Sequence, residues 1–226
     1  MRCWVYVDGF NFYHGAAKRT GHKWVDLLAL SRRLRAQDTI EHVKYFTAPV
    51  QRRPDDPGQV TRQRTYWRAL ATLGCVERIE GQFRSHPRNM PLKASVDTIE
   101  ELERRGANLR GIKPVMMEVV RAEEKGTDVN LAAHLVHDAH QTDSAKTFEV
   151  ALVLSTDSDL AGAIRLVTRE VGKPVHVCRP NPNANTGQLQ SAATSIFDLP
   201  THALAASLFP DTLTDARGTF GKPSSW

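Results

Sequence analysis

EVALVLSTDSDLAGAIRLV, residues 149–167, changes period in its middle. Val150 to Leu154 is an unbroken aliphatic run, the composition of a strand buried on both faces. From Leu160 onward apolar residues return at helical spacing, at Leu160, Ala163, Ile164 and Val167. A buried strand that feeds a helix through a short polar junction is the repeating unit of a parallel α/β sheet. The same alternation extends outward in both directions. Strands are expected near residues 4–7, 43–47, 76–79, 115–120, 150–154 and 175–178, with a seventh near 195–197. Helices are expected near 24–36, 60–73, 129–141, 160–171 and 201–208. The expected fold class is α/β with a central, mostly parallel sheet.

A chain of 226 residues can bury a full core without disulfides or structural metal. Cys3, Cys75 and Cys178 are odd in number and widely spaced, so buried reduced thiols are expected. No apolar run approaches the roughly 18 residues that cross a bilayer. The first residues enter a strand directly, without a secretory leader pattern, and the expectation is a soluble cytoplasmic protein with no membrane partner. One domain is expected over residues 1–205. Within it, residues 85–113 carry Pro87 and Pro91, with Pro114 just beyond, around a charged helical core whose Asp97 is placed to cap against Glu100, and read as an insertion or lid. Residues 206–226 read as a C-terminal tail, poor in periodic apolar residues and expected to be loose.

The net charge of +5 is unevenly placed. Residues 44–113 hold 14 Lys+Arg against 8 Asp+Glu, while the remainder is close to neutral, and this suits a polyanionic partner.

Three apolar runs lead into acids: one ends at Asp8, a second leads to Asp128, and Val150–Leu154 leads to Asp157 and Asp159. In an open α/β sheet ligands bind beyond the carboxyl ends of the strands, so these acids can converge although distant in sequence. Either Asp128 or Asp157 alone could serve as a helix N-cap. Four carboxylates at one sheet edge repel unless a cation neutralises them, which favours a metal site for the set. All-oxygen ligation points to Mg2+ or Mn2+. An ion of that kind activates water for attack at phosphorus, so phosphodiester hydrolysis is the expected chemistry. A Walker loop is absent, and the opening motif lacks the paired aspartates of covalent phosphotransfer.

Three blocks, VYVDGFNFYHG, EEKGTDVNLAAHLVHDA and LVLSTDSDLAGAIRLV, resemble in order and spacing the signature blocks of the NYN domain family of PIN-like nucleases. The resemblance spans roughly residues 2–200. It implies a PIN-like three-layer sandwich and a metal-dependent endoribonuclease, acting on single-stranded or structured RNA. On that resemblance Asp8, Asp128, Asp157 and Asp159 are the catalytic metal ligands. Asn11 completes the opening motif, Lys125 is the basic residue of the middle block, and Thr156 and Ser158 flank Asp157 for contact with ligands or phosphate. Two alternatives stay open: a non-cleaving nucleic-acid-binding or regulatory module, and the toxin half of a toxin–antitoxin pair. A homo-oligomer or a protein partner is compatible with each.

Arg52, Arg53, Arg62, Arg64 and Arg68, interleaved with Tyr66 and Trp67, resemble the charge and ring mixture used on single strands. Arg62 and Arg64 are expected to bind substrate; an ordinary helix with a basic face and buried rings is the competing reading. His134, His137 and His140 could bring two imidazoles together, yet Leu131, Leu135 and Val136 define the buried side of their helix. His134, His137, Asp138 and Gln141 are therefore expected on the solvated face.

Overall fold

The computed structural model describes residues 1–226, the side chains of Ser85, Arg121 and Ala122 excepted. Its elements run β1 (Arg2–Asp8), α1 (Gly9–Phe12), a π-helical turn (Tyr13–Ala17), α2 (Lys18–Thr20), α3 (Leu27–Leu34), β2 (Thr39–Thr47), α4 (Gln59–Ala71) and β3 (Val76–Glu80). There follow β4 (Gln82–Pro91), α5 (Lys93–Arg104), β5 (Met116–Lys125), α6 (Thr127–Ala139), β6 (Val150–Leu154), α7 (Ala161–Arg165), a second π-helical turn (Leu166–Val171) and β7 (Val175–Arg179). The chain ends with α8 (Gly187–Ala192), β8 (Ser195–Asp198), α9 (Thr201–Ala205), β9 (Thr212–Asp215) and β10 (Gly218–Gly221). Two compact units result: Met1–Gln82 with Lys125–Trp226, and Phe83–Glu124.

The larger unit is built on a six-stranded sheet in the order β3-β2-β1-β6-β7-β8, every pair parallel. Alternate side chains feed two cores. Cys3, Val5 and Val7 of β1, with Val150, Leu152 and Leu154 of β6, pack with Leu27 and Leu30 of α3, Leu70 of α4 and Leu204 of α9. Trp4, Tyr6, Ala151 and Val153 point the other way, toward Leu131 and Leu135 of α6, Ile164 of α7 and Leu189 of α8. A sheet covered by helices on both faces makes three layers, and it explains why β6 is apolar throughout. After β1 the chain builds β2 and β3 to one side, and only later returns to build β6, β7 and β8 on the other. The order reverses between β1 and β6, and at such a switch point open α/β sheets bind ligands, in the crevice beyond the carboxyl ends of the strands.

One side of α6 is tied down by a buried polar cluster. Lys44 Nζ lies 2.6 Å from Asp138 Oδ2, and the Tyr6 hydroxyl donates to the same oxygen at 2.7 Å. Burial, and then the Asp138 charge, pushes the Tyr6 hydroxyl well above its usual range. The expectation that Asp138 faces solvent is thus corrected: it is 4% exposed, because Leu131, Leu135 and Asp138 follow one another at i, i+4 and i+7.

Three further expectations are revised. Of residues 115–120, all except Val115 belong to a strand, but that strand, β5, pairs with β4 in a separate two-stranded sheet. Asp97 does not cap its helix; α5 begins at Lys93, and Asp97 pairs with that lysine at 2.7 Å. The C-terminal segment is ordered: β9 and β10 form an antiparallel hairpin, Arg68 of α4 binds Asp215 at 2.6 Å and lies over the Phe220 ring, and Trp226 packs against Trp24 and Tyr66. Among the described residues no helix is long and apolar enough to cross a membrane.

Candidate active site

Asp8 ends β1 beside the crevice and caps α1. One carboxylate oxygen accepts the Asn11 backbone N–H at 3.0 Å, and the other accepts the Ser155 hydroxyl at 2.9 Å. The side chain is almost wholly buried, and burial is the main reason its carboxyl is pushed up to about 6. The two hydrogen bonds oppose that rise, while the charges of Asp128 and Asp157 add to it. A carboxylate raised chiefly by burial, with only acidic neighbours adding to the rise, is a group that lacks a counter-charge.

Ser155, fully buried at the end of β6, also accepts the Asp157 backbone N–H at 3.0 Å. It therefore links the exits of β1 and β6. A second link runs parallel to it, since Asn11 Oδ1 accepts both the backbone N–H and the hydroxyl of Thr156, at 3.1 and 2.8 Å. Asn11 and Thr156, expected at the substrate, hold each other. Asp157 accepts the Asp159 N–H at 3.0 Å and caps the short turn Ser158–Leu160. Asp128 stands in the first turn of α6, which Gly126 caps with φ 94°. Its carboxyl is also raised, through desolvation first and then through the charges of Asp157 and Asp159. Asp128 and Asp157 thus stand near enough for their charges to act on Asp8, and Asp157 and Asp159 near enough to act on Asp128. Among the described residues, however, no three His, Cys, Asp or Glu side chains stand close enough to share one ion.

Gly9 is required where it stands. A Cβ there would lie 2.6 Å from the Phe46 carbonyl oxygen and 2.8 Å from the Tyr45 ring, so α1 reaches the crevice only because this residue has no side chain. Gly9→Ala is expected to lower stability by about 1–3 kcal/mol in urea titration, as overpacking does. An unchanged midpoint would show that the close approach relaxes without strain.

Basic groups stand on the segment that leaves Asp8 and on the loop beyond β2. Burial first, and then Lys18 and Arg53, hold His14 below its usual range, which places all three near one another. Arg19 donates to Asn181 Oδ1 at 2.6 Å. Arg64 is exposed and Lys125 closes β5, also exposed, whereas Arg62 is engaged with Asp56. Tyr66 and Trp67 are buried in the core and present no ring for stacking, so α4 follows the ordinary amphipathic reading. Ser155 is a site residue that the strand-end acids alone do not single out; its signal in the sequence is a hydroxyl directly after an apolar strand and two residues before an acid.

No protein-family model matches the chain. Over its whole length the chain resembles a monooxygenase. It is 29% identical, over 249 aligned residues, to 6-hydroxy-3-succinoylpyridine 3-monooxygenase HspA of Pseudomonas putida, covering 100% of this chain and 75% of that protein. A crystal structure of a protein of unknown function from Vibrio parahaemolyticus shares the fold, with a TM-score of 0.53 and 14% identity over 88% of this chain and 93% of that one. The monooxygenase relative corrects the expected enzyme class: a whole-chain likeness to an oxidoreductase does not support a Mg2+- or Mn2+-dependent endoribonuclease. The physical reason is that acids at strand ends determine where an ion and its ligand sit, not which bond is broken.

Proposed function

We propose that the crevice between β1 and β6 is a divalent-cation site that seats an anionic ligand, and that the chain is a PIN-like protein of the NYN type that binds RNA there without cleaving it. The observation that carries this reading is the buried Asp8 carboxylate, tied through Ser155 to the Asp157 turn at the joined exits of β1 and β6, and pushed up first by burial with Asp128 and Asp157 adding to it. The donors are carboxylates, the chemistry of a hard ion such as Mg2+ or Mn2+. Asp8, Asp128, Asp157 and Asp159 would hold it. Because no three of them are yet within shared reach, binding is coupled to movement of the exposed Asp128 and Asp159 side chains. The bound ion supplies positive charge for a phosphate or carboxylate. Lys18, Arg19 and Arg53 extend the attraction along a polyanion.

The test is fluorescence anisotropy of a labelled single-stranded RNA with Mg2+, Mn2+ or EDTA. Binding is expected with metal and is expected to weaken at least tenfold in EDTA or in Asp157→Asn. Lys18→Ala combined with Arg53→Ala should reduce the log-log salt slope by about 0.7 for each phosphate that is no longer neutralised. Metal-independent binding, or RNA shortened in the metal-containing samples, overturns the reading.

The whole-chain relative favours a second reading. Here the crevice would take a hydroxypyridine that carries an acidic side chain. One oxygen atom of O2 would enter the ring compound, and the other would leave as water with two electrons from a reduced nicotinamide or flavin. Oxygen uptake on adding 6-hydroxy-3-succinoylpyridine and reduced nicotinamide, lost in Asp157→Asn, would establish this reading over the first.

A further inference from the structure

The unit Phe83–Glu124 is made of β4, α5 and β5, and none of its described side chains is buried. Of the twelve exposed large apolar side chains among the described residues, eight lie in this unit of 42 residues. A two-stranded sheet is marginal on its own, and a segment of this size without a buried side chain has no core to hold it. The exposed apolar groups gather toward one strand. Met116, Met117 and Val120 of β5 are 54%, 48% and 77% exposed, and Val115 just before it is 58% exposed.

The two strands differ as edges. β4 contains Pro87 and Pro91, which lack an N–H and blunt an edge against further pairing. β5 contains no proline over ten residues, and Glu118 is the single charge between Val115 and Val120. Its first half, Met116–Val120, is an apolar edge without proline, a template for another strand, and its second half carries Arg121, Glu123, Glu124 and Lys125.

We propose that β5 pairs with β5 of a second copy of this chain, forming a homodimer across a twofold axis. An edge that meets its own copy antiparallel closes on itself, so assembly stops at two. Four of the eight side chains lie at β5 and its approach, and Met90, Leu92, Leu102 and Ile112 lie elsewhere in the unit, so only the unit as a whole offers apolar surface on the order of the ~800 Å2 that each partner gives to a standard interface. The apolar run holds one acid and the charges beyond it are of both signs, Arg121 and Lys125 against Glu123 and Glu124, so identical antiparallel copies meet without a wall of like charge.

Light scattering coupled to size exclusion, at tens of micromolar protein, is the test. The wild type is expected at twice 25.2 kDa, and Met117→Lys combined with Val120→Lys at 25.2 kDa. Both substitutions fall on exposed side chains, so the melting transition of the larger unit serves as a folding control and should persist. Hydrogen exchange adds a local reading: the amides of residues 116–120 are expected to be slow in the wild type and at least tenfold faster in the double variant. A monomeric wild type overturns the proposal. So does a double variant that remains dimeric, or a dimer in which β5 amides exchange freely.

Discussion

Asp138→Ala is expected to lower the free energy of unfolding by about 3–5 kcal/mol, read from urea titration at neutral pH, because it removes one partner of a buried ion pair and strands the other. Lys44 is 8% exposed, and its ammonium contacts Asp138 at 2.6 Å while Glu77 lies 4.0 Å away at the surface. Alanine at 138 leaves that ammonium without its buried acid and the Tyr6 hydroxyl without its acceptor. Asp138→Asn keeps an acceptor and should cost less. Lys44→Met combined with Asp138→Leu should recover much of the loss, since replacing a whole buried pair by apolar groups is often neutral. The effect reaches the crevice because this cluster fixes α6 to β1 and β2, and α6 carries Asp128 in its first turn. A loss below about 1 kcal/mol for Asp138→Ala would mean that Lys44 is solvated and that apolar packing alone holds α6.

That cluster also shows where sequence reasoning runs out. Apolar runs that end in acids identified β1 and β6 and placed Asp8 and Asp157 at the carboxyl edge, because strand burial and strand-end position are written in local composition. The charge of Asp138 suggests exposure, while its spacing from Leu131 and Leu135 puts it on the buried face. The run at residues 115–120 looks like any buried strand, and an apolar run does not name its partner, so its pairing with β4 could not be read. The terminal hairpin did leave a trace: Thr212, Leu213 and Thr214, then Thr219 and Phe220, flank a turn closed by Gly218. Its anchors, Arg68 and Trp226, are distant in sequence and come together only in the fold.

Asp8→Asn is expected to raise the melting temperature in EDTA and, in the same protein, to abolish stabilisation by Mg2+ or Mn2+. A carboxyl at about 6 in the folded state, against 3.8 in its usual state, is protonated more readily in the fold than out of it. Ionising it at pH 7.5 then costs the fold on the order of 3 kcal/mol, from about 1.4 kcal/mol per pH unit. The native state binds the extra proton between the two values, so wild-type stability falls as pH rises from about 4 to about 6 and is level above that. Asparagine carries no such charge, yet its amide oxygen still accepts the Asn11 N–H, so the variant should keep the cap and lose the pH dependence. For a chain of this length the gain corresponds to a rise of several degrees at pH 7.5, vanishing near pH 4. Metal reverses the comparison: an ion held by the acids stabilises the wild type in proportion to its occupancy, and the variant has lost the one buried ligand. Scanning calorimetry of both proteins at pH 4.5 and 7.5, with EDTA and with millimolar Mg2+, reads all four corners. A variant less stable than the wild type in EDTA at pH 7.5 would show that the Asp8 charge is already compensated within the chain. Equal metal responses in the two proteins would remove Asp8 from the cation site.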